Sequence, residues 1–180
     1  MTHISRRLFL SATVAAALLA AGCATKPEVR SDRDPAADFG AYQTFAFYPH
    51  AESDTAGYDS LLAKHLLQAT RAQMESRRHV YDERNPDLRV AVYLLVAERH
   101  ELRSTGGGRF GYRGLGNPVE TDTFKQGSLR IDVVDTRRNA LVWQGVVEGR
   151  LDQAALQTPA ATVQAAVGEA FAAYPRAAAQ

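Results

Sequence analysis

Asp132 and Asp135 stand three residues apart near the end of an alternating apolar run. Two carboxylates that close could share general acid and base work, or hold a cation. The same residues also close turns, because a carboxylate accepts hydrogen bonds from backbone N–H groups two or three residues on. The turn role takes precedence here, because Thr136-Arg137-Arg138-Asn139 follows directly. The histidines are His3, His50, His65, His79 and His100. None forms His-Glu-x-x-His or another compact ligand pattern, so no metal site is expected. His65 lies one turn from Leu62 and Ala69, at the border of an apolar helical face. The chain contains neither a Gly-x-Ser-x-Gly elbow nor a Ser-x-x-Lys pair, and no catalytic residue is assigned.

The segment from Ser104 to Asn117 holds six glycines, with Arg109, Phe110, Tyr112 and Arg113 among them. Gly106, Gly108 and Gly111 match the glycines of a dinucleotide loop. Such a loop must open a helix whose N-terminus faces the pyrophosphate, whereas more glycine and Pro118 follow here. No cofactor is expected. The segment suits a loop between two strands, and its interleaved arginine and aromatic residues make it a candidate binding loop.

Cys23 is the only cysteine, which excludes an internal disulfide. Before it, Arg6 and Arg7 precede an apolar stretch from Leu8 to Ala21. That stretch is shorter than the roughly 20 residues a membrane span needs, and it has the layout of a signal peptide. It ends Leu19-Ala20-Ala21-Gly22-Cys23, which resembles the lipobox of bacterial lipoproteins, with Ala20 where leucine is commoner. The resemblance implies cleavage before Cys23 and attachment of lipid there, with acyl chains such as palmitate. One chain holds a membrane only marginally; the two or three of a bacterial lipoprotein hold stably. Ala24 replaces the aspartate that commonly retains such proteins at the inner membrane, which points to the outer membrane. Ser5-Arg6-Arg7-Leu8-Phe9-Leu10 also resembles a twin-arginine signal, and the general and twin-arginine routes both stay open.

The expected order is signal peptide over 1–22, lipidated tether over 23–38 and one domain over 39–176. The 180 residues are 46% hydrophobic and 23% charged, enough for one cored domain. Losing Arg6 and Arg7 with the signal leaves the mature chain with one net negative charge. That balance gives no basis for nucleic-acid binding.

The elements that must position these residues are legible from their periods. Tyr42–Tyr48 is aromatic and stops at Pro49, as a strand would. From Tyr58 to about Arg78, Tyr58, Leu61, Leu62, Leu66 and Ala69 mark one helical face. Ser53, Asp54 and Thr55 are its candidate caps, and Arg77, Arg78 and His79 suit its negative end. Asn85-Pro86-Asp87 turns the chain. Leu88 to Ala97 then alternates and runs on to Arg103, with Tyr93 and Leu95 on its second face expected to be partly buried. Gly127–Asp135 and Ala140–Leu151 form a hairpin, with Trp143 in phase with Leu141 and Gly145 a candidate bulge. Thr158-Pro159 starts a last helix, and Tyr174-Pro175 ends it. The expected class is α+β: a small antiparallel or mixed sheet with two helices packed on one face, in two layers.

In that order the chain resembles a bacterial lipoprotein family known as domain of unknown function 4136. The resemblance is carried by Asp38-Phe39 before Tyr42-x-Thr44-Phe45-x-Phe47, by Pro86-Asp87-Leu88-x-Val90, and by Gly127-x-Leu129-x-Ile131-Asp132-x-x-Asp135. Leu141-Val142-Trp143-x-Gly145 and Phe171-x-x-Tyr174-Pro175 complete it. Arg77-Arg78-His79-Val80 departs from it, because the family tends to carry glycine followed by an aromatic residue there. The resemblance implies a lipid-anchored envelope protein with an α+β domain in the periplasm, and transfers no catalytic residue. The expected function is a non-enzymatic binding or structural module, with an envelope protein or polymer as partner and the Gly-rich loop and sheet edges as contact surfaces. The alternative is an envelope hydrolase that uses carboxylates of the sheet.

Overall fold

The computed structural model describes residues 26–49, 60–104 and 119–175. Cys23, His50, the candidate caps Ser53, Asp54 and Thr55, and the loop residues Arg109, Phe110, Tyr112 and Arg113 lie outside them. Six strands form one mixed sheet in the order β1-β6-β5-β4-β2-β3. They are β1 (Glu28–Arg33), β2 (Thr44–Phe47), β3 (Val80–Tyr81), β4 (Leu88–Ser104), β5 (Val119–Asp135) and β6 (Ala140–Leu151). Among the described residues three helices accompany them, rather than two: α1 (Leu61–Ser76), α2 (Gln153–Gln157) and α3 (Pro159–Phe171). Among the described strands the parallel pairs are those of β2 with β3 and with β4.

Alternation decides which face of the sheet is buried. Leu88, Val90 and Val92 of β4 share a face with Leu129, Ile131 and Val133 of β5, and all are at most 2% exposed. Leu66 and Met74 of α1 and Val163, Val167 and Phe171 of α3 join them in one core cluster. The helices therefore cover one face in a second layer. Tyr93 and Leu95, expected to be partly buried, point to the other face, which no described element covers, and are 46% and 63% exposed.

The sheet reaches further toward the N-terminus than the sequence suggests. Residues 28–33, expected within the tether, pair with β6 from Glu28↔Glu148 to Arg33↔Trp143. All six are exposed, so no apolar alternation marks the strand. The bulge also moves. It falls between Val133 and Val134, whose partners in β6 are Trp143 and Leu141. Val142 is the extra residue, so both Val142 and Trp143 are buried while Leu141 is 48% exposed. Gly145 has a different task. A Cβ there would lie 2.8 Å from Cζ2 of Trp143 and closer still to Cη2. The missing side chain is the space the indole occupies.

Helix α1 begins at Ser60, whose Oγ accepts from Ala63 N at 3.0 Å. Its buried stripe is Ala63, Leu66, Thr70 and Met74, while Leu61 is 74% exposed. It ends in a Schellman motif: Arg78 N donates to Glu75 O and His79 N to Met74 O. Arg78 holds the left-handed position, with φ 72°. The chain thus carries arginine where glycine would be free of strain. Arg77 Nη2 donates to the Phe171 carbonyl at 2.7 Å, which ties the C-terminal ends of α1 and α3 together. Thr158 is the N-cap of α3, but its hydroxyl donates to Ala154 O instead of capping. Helix α2 has its own cap, with Asp152 Oδ1 accepting from Ala155 N at 2.7 Å.

Candidate functional site

The two carboxylates are separated by the pleat. Residues 132 and 135 differ by an odd number, so their side chains leave opposite faces of β5. Asp135 is 3% exposed and closes the β5–β6 turn. Its Oδ1 accepts from the N–H groups of Arg137 and Arg138, each at 2.9 Å. Its Oδ2 accepts from Tyr42 Oη and Arg138 Nε, again at 2.9 Å. Arg138 also reaches Asp34 Oδ2 at 3.3 Å. Burial pushes the Asp135 pKa up, but the hydrogen bonds from Arg138, Tyr42 and Arg137 prevail and hold it at about 2. A carboxylate with its acceptor sites filled this way pins the turn and the Tyr42 segment; it has no proton to give and no lone pair free to take one near neutrality.

Asp132 closes no turn. It lies on the uncovered face, where Gln144 Nε2 donates to its Oδ1 at 2.8 Å and Arg130 pairs with Oδ2 at 3.4 Å. Beside it, on the side of its partners Arg130 and Gln144, this face forms a shallow groove of about 600 Å³ bordered by Arg30, Asp32, Tyr93, Leu95, Arg130, Gln144 and Glu148. Within it Arg30 meets Glu148 at 3.0 Å, and the Arg130 guanidinium stands 4.3 Å above the Tyr93 ring. Stacked arginine on tyrosine beside exposed leucine is a surface of the kind that supplies binding hot spots. The sequence contained a signal for it, the tyrosine and leucine on the second face of β4, but expected burial hid it.

The histidines do not assemble. His65 is half-buried on α1, at the border expected. His79, expected to close the helix at the negative end of its dipole, is 4% exposed and packs edge-on against Tyr174 at 5.9 Å between centroids. Burial lowers its pKa, against a smaller opposing effect from the Tyr42 backbone. His100 faces Thr123 Oγ1 at 3.0 Å on the exposed part of β4 and β5. Among the described residues no three His, Cys, Asp or Glu side chains gather as a metal site requires.

Trp143 is a core aromatic, as expected, 5.3 Å from Phe171 and 5.0 Å from Tyr174 between ring centroids. Its Nε1 has no hydrogen-bond partner. Asp87 holds the other end of the core. Its Oδ2 accepts from Gln43 N at 2.9 Å and from Thr44 N and Thr44 Oγ1, both at 3.1 Å. These bonds tie the Pro86-Asp87 turn to Thr44 at the start of β2.

Beyond the pair Lys125↔Leu151 the third strand stops, while β4 and β5 stay paired as far as Ser104↔Val119. This two-stranded ribbon, about 20 Å long at the usual rise per residue, leads to the Gly-rich segment 105–118.

Set beside known proteins, the chain matches no curated protein. Among solved structures it is similar to a PDZ domain protein from Parabacteroides distasonis, with TM-score 0.55 and 15% identity. That match covers 83% of this chain and 36% of the other, so the chain spans about a third of that protein. It is also similar to PelC, described as a dodecamer, from Paraburkholderia phytofirmans, with TM-score 0.46 and 12% identity over 86% of this chain and 99% of that one. At these identities the likeness concerns the fold alone. The sequence model of the domain of unknown function DUF4136 matches residues 29–176, from β1 to the residues after α3, and the chain belongs to that family.

Proposed function

We propose that this protein is an envelope lipoprotein, anchored through lipid on Cys23, whose domain is a non-enzymatic binding module in the periplasm. The reading of the anchor rests on the Arg6-Arg7 start, the apolar stretch and Leu19-Ala20-Ala21-Gly22-Cys23. The observation that carries the binding role is the uncovered sheet face. Tyr93 and Leu95 stay exposed there beside Arg130, within a groove that also holds the Arg30–Glu148 ion pair. Such a face favours a partner that covers apolar and aromatic surface. An envelope protein or polymer fits that description.

A hydrolase would need converging carboxylates or a histidine beside one of them. Asp132 and Asp135 diverge across the sheet, and the hydrogen bonds of His79 and His100 run to Tyr174 and Thr123 instead.

Crosslinking in intact cells tests the reading. With a photoreactive residue at position 95, the binding module yields a discrete adduct of one partner. That adduct disappears on Arg130→Glu or Tyr93→Ala. Absence of any specific adduct, with the protein present at normal level, contradicts it.

A further inference from the structure

The covered side of the sheet holds a second feature. Between the sheet and all three helices lies an open cleft of about 540 Å³. Its walls are apolar, with Leu94, Val96 and Leu129 on the sheet side and Leu66, Val163 and Ala166 on the helix side. Small residues on the sheet side leave room for it. Gly127 and Gly149 are partners across β5 and β6, and both lie on its floor. Interiors otherwise pack as densely as organic crystals. An apolar opening of this size, at the end of a closed core, falls within the range of ligand sites. At its rim Val96 and Leu156 are 48% and 42% exposed, beside the charged side chains of Arg150 and Glu169.

The occupant follows from where the N-terminal chain meets the domain. Pro27 lines the cleft, and its Cβ lies 3.4 Å from where a Cβ on Gly149 would be. The next residue, Glu28, begins β1. The backbone therefore reaches the domain at the rim of the cleft, and Cys23 is four residues further out. Four residues reach at most about 14 Å. A group on so short a tether meets the cleft at an effective concentration in the millimolar range. The cleft suits a bare hydrocarbon better than a lipid with its headgroup. Arg150, the cation in its lining, is already paired with Asp122 at 2.7 Å and stacked 3.7 Å above Phe124.

We infer that the cleft receives one of the hydrocarbon chains carried by Cys23, which pins the domain to the membrane with the cleft mouth toward the bilayer. The inference rests on the lipid anchor proposed above. Moving a chain from bilayer to cleft exchanges one hydrocarbon environment for another. The gain is the apolar rim removed from water, and the effect is on orientation more than on the strength of anchoring.

A photoreactive fatty acid fed to cells making the full chain tests this, because it labels Cys23 and free lipids alike. After irradiation, the expected product joins the acyl group of Cys23 to a peptide of α1 or α3 carrying Leu66, Val163 or Ala166. Ala166→Trp, which fills the cleft, abolishes that product and leaves membrane fractionation unchanged. Ala155→Trp does the same from α2, should the first variant fold poorly. Adducts of these helices with free lipid alone overturn the identity of the occupant. A labelled Cys23 without any helix adduct overturns occupancy of the cleft and leaves the anchor standing. An unlabelled Cys23 overturns the anchor, and the inference with it.

Discussion

The indole of Trp143 lies over the backbone of Gly145, two residues along the same strand. The pair accounts for the sequence Trp143-x-Gly145: the ring fills the core only because the next residue on that face lacks a side chain. Gly145→Ala forces the indole out of a position fixed by Phe171 and Tyr174. The expected cost is about 1–3 kcal/mol in chemical denaturation, as for other overpacked cores. The double variant with Trp143→Phe costs less than the sum of the two singles, because the smaller ring leaves room for the methyl group.

Arg78 offers a gain in stability. It holds φ 72° at the end of α1, a position whose left-handed backbone costs a residue with a side chain roughly 1 kcal/mol. Arg78→Gly keeps both Schellman hydrogen bonds and removes that strain. The midpoint of thermal unfolding rises, and far-ultraviolet circular dichroism is unchanged. A lower midpoint would mean that the arginine side chain contributes more than its backbone costs.

Stability depends on pH in two steps. The His79 pKa is lowered by burial from 6.5, so the unfolded chain takes up a proton that the folded chain resists. Its contribution is complete above pH 6.5 and declines as the pH falls below that value. Asp135 is depressed from 3.8 to about 2, so its contribution is complete above pH 3.8 and is lost as the pH falls through about 2. Denaturation midpoints measured from pH 8 to 3 show the first decline at mildly acidic pH, and His79→Phe flattens it.

The two aspartates respond differently to removal. Asp135→Ala leaves the N–H groups of Arg137 and Arg138 and the Tyr42 hydroxyl without their acceptor, at a cost on the order of 3 kcal/mol. Asp132→Ala removes contacts to Gln144 and Arg130 on the uncovered face and costs less than about 1 kcal/mol. Both variants are compared by urea denaturation. An envelope-hydrolysis phenotype lost in folded Asp132→Ala would favour the enzymatic alternative.

The strands whose side chains alternate in burial were legible in the sequence. Leu88 to Val92 and Gly127 to Asp135 bury one face, and their period of two says so. β1 was not legible, because Glu28–Arg33 pairs by backbone alone and buries nothing. The bulge at Val142 breaks the phase that Leu141 and Trp143 suggest, and only the pairing across to β5 reveals it. His79 read as a helix-end cation because local sequence holds no trace of Tyr174, 95 residues away, which covers it. The divergence of Asp132 and Asp135 was implicit in their odd spacing. The exposed face with Tyr93 and Arg130 was missed, because apolar residues on a strand's second face read as partly buried even where the helices are expected on the other side.

The anchor on Cys23 is tested most directly by intact-mass measurement of the protein from membrane and soluble fractions, beside Cys23→Ser. The account predicts a membrane-bound chain beginning at Cys23 with the added mass of its lipid, and loss of both the added mass and the membrane location in the variant. A wild-type chain without added mass, or a variant that stays membrane-bound at the same mass as wild type, contradicts it.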